Sequence, residues 1–398
     1  MVVLVLAAII LTFTRAKYRT TQSIPLVNGT INYSLADLNI VAITVDGENV
    51  DTIPEGNYEL TEESYCTVNG EDDSSISLSY DSSTQTLQVI PFTTKGTKCY
   101  LDFTEKTSVG DTILGNVTVN EGTPDFSRVA TTDEGVFKAE DDWGTSYYFR
   151  GAVENNYLKF AGYYWRIIRI NGDGSIRIIY DGTSAHANGE SSSDRQTGTS
   201  TYNSSNYNYS YGVGYTYQAD AQRPSSQNGG TTSTINGVLD SRYSTNIAGK
   251  GYDDKVVSSP GFCNDRNTAS GDNWVSSGTT FYYAPYERIY TTRQPSLQCS
   301  NDNDIYTTKV GLITADEVRM AGGTTSSNNS YYLYTGQYYW TMSPSHYNGY
   351  AGVFSVGSTG SLGGSIVNGT YGVRPVINIS SEATITGSGT MFDPYVVQ

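Results

Sequence analysis

The stretch from Tyr331 to Ile379 constrains the fold most, because short runs of Tyr, Trp, Val and Ile alternate there with Gly, Ser and Asn. That punctuation specifies strand–turn–strand and excludes a helix of any length. Strands are expected at 338–342, 351–356, 365–367 and 371–379, with Gly357 to Gly360 as a tight turn. Pro344 is expected to end the first of them, since it has no N–H to give to a ladder. Gly-Val-Arg-Pro-Val around Arg374 points to a buried scaffold arginine, and Trp340 to a core residue.

Several motifs resemble one family as a set. Trp340-Thr341-Met342-Ser343-Pro344, the Ala351–Phe354 strand, the glycine turn and Tyr371-Gly372-Val373-Arg374-Pro375-Val376 resemble the closing segment of C-type-lectin-like domains. The closer likeness is to the formylglycine-generating-enzyme-like (sulfatase-modifying-factor) branch, as in surface proteins of gram-positive gut bacteria. It continues upstream in Gly144 to Gly151, Phe160 to Arg169 and Gly311 to Glu317, and covers roughly residues 136–398. The resemblance implies an α+β, C-type-lectin-like scaffold presenting a variable, loop-rich face. The enzymes of that branch bind copper through two neighbouring cysteines, a pattern that Cys263 and Cys299 do not reproduce. The Glu-Pro-Asn, Gln-Pro-Asp and Trp-Asn-Asp strings of calcium-dependent lectins are absent as well.

Four cysteines fall into two neighbourhoods, Cys66 with Cys99 and Cys263 with Cys299, although four allow three connectivities. Neither pair has C-x-x-C spacing, so zinc and dithiol redox chemistry are disfavoured. Two disulfides place the chain in an oxidising compartment; four buried thiols in a cytosolic protein are the other reading. Residues 1–13, Met-Val-Val-Leu-Val-Leu-Ala-Ala-Ile-Ile-Leu-Thr-Phe, are apolar almost throughout, and Arg15, Lys17 and Arg19 follow. They are shorter than the ~20 residues of a spanning helix. Residues 1–20 are therefore expected to be an export signal or membrane-anchor remnant of a truncated reading frame, with a core strand as the alternative.

The remaining layout is a small all-β, sandwich-like domain over 21–105, a linker over 106–135, and the lectin-like domain over 136–398 with a long polar insert at 181–305. Asp46-Gly47 and Asn171-Gly172-Asp173-Gly174 are hairpin turns. Cys99, Leu101 and Phe103 share one strand face. Ile235, Val238, Leu239 and either Arg242 or Tyr243 give one face of a short helix, and Thr314-Ala315-Asp316-Glu317 is a capping box with Gly322-Gly323 as its stop.

A net charge of −16 argues against nucleic acid as a partner. Catalysis has few candidates. His186 and His346 are the two histidines, neither sits by a nucleophile elbow, and there is no phosphate-binding glycine loop. The acid pairs Asp72-Asp73, Asp141-Asp142 and Asp253-Asp254 fall in polar turns. No catalytic residue, metal or cofactor is expected. Tyr, Ser, Gly and Asn, by contrast, are the residues of adaptable binding faces. The expected ligand-binding residues are His346, Tyr347, Asn348 and Tyr350, in a loop after Pro344, together with Tyr338. The expectation is an exported bacterial cell-surface protein, anchored by its N-terminus, that recognises an extracellular protein or glycan, as in adhesion. The alternatives are an enzyme on the same fold and a structural subunit of a surface appendage. Should the loop prove buried, the tyrosine-rich segment 201–217 takes its place.

Overall fold

The computed structural model describes residues 24–26, 29–31, 38–54, 58–82, 84–91 and 96–398. The expected signal or anchor at 1–20 lies outside the described residues. Among those described, no helix is long and apolar enough to cross a membrane. The chain forms two units, Met1–Thr107 and Ser108–Gln398, β-rich with few helices.

In the first unit the strand Thr97–Glu105 buries Thr97, Cys99, Leu101 and Phe103 and turns the residues between them outward. Period-two alternation therefore decides which side holds the core. This strand pairs in parallel with Leu38–Val45 and antiparallel with Tyr65–Val68 and Tyr58–Leu60. Asp46 and Gly47 both have positive φ, 50° and 82°, and turn the chain into Glu48–Val50. Cys66 stands opposite Cys99 in the ladder and is joined to it, with Cα atoms 4.1 Å apart. A hairpin of Ser77–Asp81 and Thr86–Ile90 brings Leu87 and Val89 onto the same core as the disulfide.

The second unit begins earlier than the sequence suggests, and residues 108–135 are folded rather than a linker. Ser108 caps the helix Val109–Leu114 by accepting from Asp111 N, and Val109 and Ile113 are buried in the main core. Val119–Asn120 then adds an edge strand beside Asp133–Asp141. The sequence signal misled because two apolar side chains per short helix give too little periodicity to register.

Two large sheets dominate this unit, with two two-stranded ones beside them among the described residues. One contains ten strands, with Asp133–Asp141, Gly144–Gly151, Tyr163–Ile170 and Ile176–Gly182 as antiparallel neighbours, continued by Val376–Ile379. The second has six, centred on Tyr339–Tyr347 and Ala351–Val356. Contrary to expectation, the Tyr339–Tyr347 strand runs through Pro344. The register is broken on both sides of the proline, and four steps from Trp340 to Pro344 oppose two from Ser355 to Val353. Proline is tolerated there because the ladder is already interrupted. Met342 N–H donates instead to Ile313 O, and the Thr341 hydroxyl to Phe354 O at 2.8 Å.

The expected 371–379 strand is also divided. Thr370–Gly372 belongs to the six-stranded sheet and Val376–Ile379 to the ten-stranded one. Arg374 lies at the crossing, fully buried, donating to Tyr180 O, Leu333 O and Asp181 Oδ1. Arg195 donates to the same Asp181 oxygen at 2.8 Å.

The insert 181–305 is packed. Ser233 caps the helix Thr234–Asn246, Cys263 is bonded to Cys299, and Tyr202, Tyr215 and Tyr283 are buried. Asn264 substitutes for a ladder, accepting from Tyr215 N and donating to Val213 O and Met342 O. The capping box at Thr314 forms, and its Glu317 also accepts from Arg169 and Arg177 at 3.1 and 3.0 Å. Burial pushes the Glu317 carboxyl up, but Arg177 and Arg169 hold it below the ordinary range. Removing one partner of such a buried cluster costs about 3–5 kcal/mol.

Candidate functional site

The hairpin of Tyr339–Tyr347 and Ala351–Val356 distributes the expected binding residues over three places. His346 pairs with Gly352 across the ladder, and Tyr347 with Ala351, so the two adjacent side chains point to opposite faces of the sheet. Tyr347 is buried at 2% exposure, against Phe281, and its hydroxyl donates to Asn208 O at 3.0 Å. The expectation of an exposed Tyr347 is therefore incorrect. With the strand continuing past Pro344, position 347 remains under strand alternation and falls on the core side.

Asn348 and Tyr350 are exposed at the turn, and Tyr350 stacks on Tyr207 of the insert at 6.2 Å. Tyr338 is 48% exposed and stacks on Tyr371 at 5.2 Å. It lies at the opposite end of the hairpin, roughly 25 Å away at ~3.3 Å per residue, so it cannot share a small ligand with the turn. Of the alternative segment, Tyr209 is exposed, whereas Tyr202, Tyr211, Tyr215 and Tyr217 are buried.

His346 has partners that are distant in sequence. The short strand Phe281–Tyr282 pairs with the end of the long one, setting Tyr282 opposite His346. Tyr282, Tyr286 and Tyr290 then stack in series, with centroids 4.1 and 4.5 Å apart, and Tyr290 continues onto Phe354 at 5.8 Å. Their spacing of four residues places them on one side of the helical turn Ala284–Tyr286 and the π-helical turn Glu287–Thr292. π-turns often mark functional positions. Tyr282 and Tyr290 are each 37% exposed.

The His346 ring lies against glycine on two neighbouring strands. A Cβ at Gly352 would lie 2.6 Å from His346 Cε1, and one at Gly364 would lie 2.7 Å from Ser345 Oγ and 3.1 Å from His346. Glycine at both positions gives the imidazole its seat. Burial holds His346 below the ordinary histidine value, and burial raises the hydroxyls of Tyr286 and Tyr290, so the strip carries little charge near neutrality. It is a shallow, amphipathic platform of stacked rings, suited to packing against flat faces while offering hydroxyls at its rim. The i, i+4 spacing of tyrosines at 282, 286 and 290 was the available sequence signal, but nothing local placed it beside His346.

His186 serves a different purpose. Its Nδ1 faces Glu190 Oε1 at 2.7 Å and its Nε2 faces Asp194 Oδ2 at 3.0 Å. Hydrogen bonding from His186 holds Glu190 low; burial pushes Asp194 up, but hydrogen bonds from His186 and Thr183 together hold it below the ordinary range. With the Tyr157 hydroxyl donating to His186 O, the arrangement pins a loop. Among the described residues, no group of three or more His, Cys, Asp and Glu converges to hold a metal ion. No family model, curated protein or solved structure matches this chain.

Proposed function

We propose that this is an exported, cell-surface recognition protein that binds an extracellular glycan or protein without catalysing a reaction. Its second unit is a C-type-lectin-like domain that presents the aromatic platform. The observation that carries the reading is the Tyr282–Tyr286–Tyr290 stack, with Tyr282 across the ladder from His346, whose ring lies against Gly352 and Gly364. Exposed aromatic rings lose little conformational entropy on binding and dominate contact energies. A shallow platform of stacked rings favours the flat faces of a glycan over a deeply inserted side chain. Two disulfides support an exported setting, and the apolar residues 1–13 followed by Arg15, Lys17 and Arg19 support attachment at the N-terminus.

The test is a screen of the chain on immobilised glycans and on extracellular protein fractions, repeated with Tyr282→Ala/Tyr290→Ala. Loss of binding by more than about 2 kcal/mol, with melting unchanged, is the expected result. Unchanged binding by the double variant overturns the platform. Cell fractionation that finds the chain in the cytosol with free thiols overturns the localisation.

A further inference from the structure

A second concave site lies elsewhere in the same unit. A cavity of ≈ 240 Å³ is bounded by the sheet residues Tyr163, Trp165 and Tyr180, by Ile377, and by Arg242 and Tyr243 of the helix Thr234–Asn246. The Tyr180 ring stands 5.6 Å from that of Tyr163 and 5.7 Å from that of Trp165, the latter pair nearly perpendicular at 85°. The three rings thus form an aromatic corner, while buried Val310 and Ile377 supply apolar floor.

Two hydrogen-bond donors, Arg242 and Tyr180, belong to this lining. Arg150, Arg169, Arg177, Arg195, Arg223, Arg266, Arg288 and Arg374 each contact a carboxylate. Arg242, like Arg166, Arg293 and Arg319 among the described residues, contacts none, and its hydrogen bond goes to the backbone oxygen of Thr197. The chain makes room for it at Gly198, where a Cβ would lie 3.0 Å from Arg242 Nη2. Tyr180, 6% exposed, lines the same cavity with its ring and hydroxyl-bearing side chain. Burial raises its pKa to about 12, so it remains protonated and able to donate at neutral pH. After burial, the charges of Asp194 and Asp181 also raise Tyr180, and Arg242 opposes them.

We propose that this cavity binds a small aromatic carboxylate, its ring in the Tyr163–Trp165–Tyr180 corner and its carboxylate held by Arg242 and the Tyr180 hydroxyl. A guanidinium fork matches a planar carboxylate, and one hydroxyl completes it. With a formal net charge of −16, the chain repels more highly charged anions. A cavity this size, at the small end for ligand sites, takes one or two fused rings and excludes a polymer. The site is separate from the aromatic platform and stands or falls without it.

The experiment is calorimetric or ligand-observed NMR titration of the chain with phenylacetate and indole-3-acetate, alongside their uncharged amides. The acids are expected to bind with Kd on the order of 0.1–1 mM, as ligand efficiency allows for so few atoms. The amides should bind at least about 10-fold more weakly. Arg242→Gln should bring the acids down to the level of the amides, and Tyr180→Phe should weaken the acids alone, by roughly 3- to 10-fold. If Arg242→Gln fails to fold, the acid–amide contrast in the parent chain and in Tyr180→Phe decides. Equal binding of acid and amide, no binding of either acid at about 10 mM, or parent affinity in both variants overturns the proposal.

Discussion

His346 lies directly across the ladder from Gly352, and a Cβ at Gly352 would come within 2.6 Å of its Cε1. The imidazole occupies the volume a side chain would have taken. Gly352→Ala should therefore destabilise the second unit by about 1–3 kcal/mol, the usual range for overpacking. Combined with His346→Ala it should cost much less than the sum of the two, because the clash disappears. Denaturant titration of the four proteins measures this coupling, and strict additivity would refute the contact.

The same residue makes stability depend on pH. Burial lowers the His346 pKa in the folded state, so the neutral ring is favoured there. Its contribution is complete above the unfolded value of about 6.5 and is lost as pH falls through the folded value. Thermal melts should show declining stability on acidification below about pH 6.5, and His346→Asn should flatten that limb. A separate loss at lower pH should follow as Glu190 and Asp194, both held low, take up protons.

Tyr347 and Tyr350, three residues apart, should respond oppositely to truncation. Tyr347 is buried and hydrogen-bonded, and its replacement by Ala should cost about 3–5 kcal/mol, as for other large core aromatics. Tyr350, 47% exposed, should change stability by less than about 1 kcal/mol when truncated. Melting of the two single variants separates these outcomes; similar effects would show that the alternation has been misassigned.

Cys66 and Cys99 close a loop with a sequence separation of 33, and their removal as a Ser pair should destabilise the first unit by about 3–4 kcal/mol through loop-closure entropy. Peptide mapping without reductant should recover Cys66 with Cys99 and Cys263 with Cys299. Crossed pairing, or four free thiols from oxidising conditions, would contradict both bonds.

The features legible in the sequence are those set by near neighbours. The Asp46-Gly47 turn, the alternation of Cys99, Leu101 and Phe103, the Thr314–Glu317 capping box and the bounds of Ala351–Val356 all depend on residues within a few positions of each other. Backbone sterics and side-chain period suffice to specify them.

What tertiary structure decided is which face, which sheet and which neighbour. Pro344 stays within a strand because the ladder is already broken on both sides of it, Met342 donating to distant Ile313 instead. Residues 371–379 divide between two sheets because Arg374 is anchored by Asp181, which is 193 positions away in sequence. Tyr282 reaches His346, and Arg242 reaches Thr197, across separations that no local pattern encodes. Strand pairing and burial are collective, so the aromatic platform and the cavity exist only once the two large sheets of the second unit have formed.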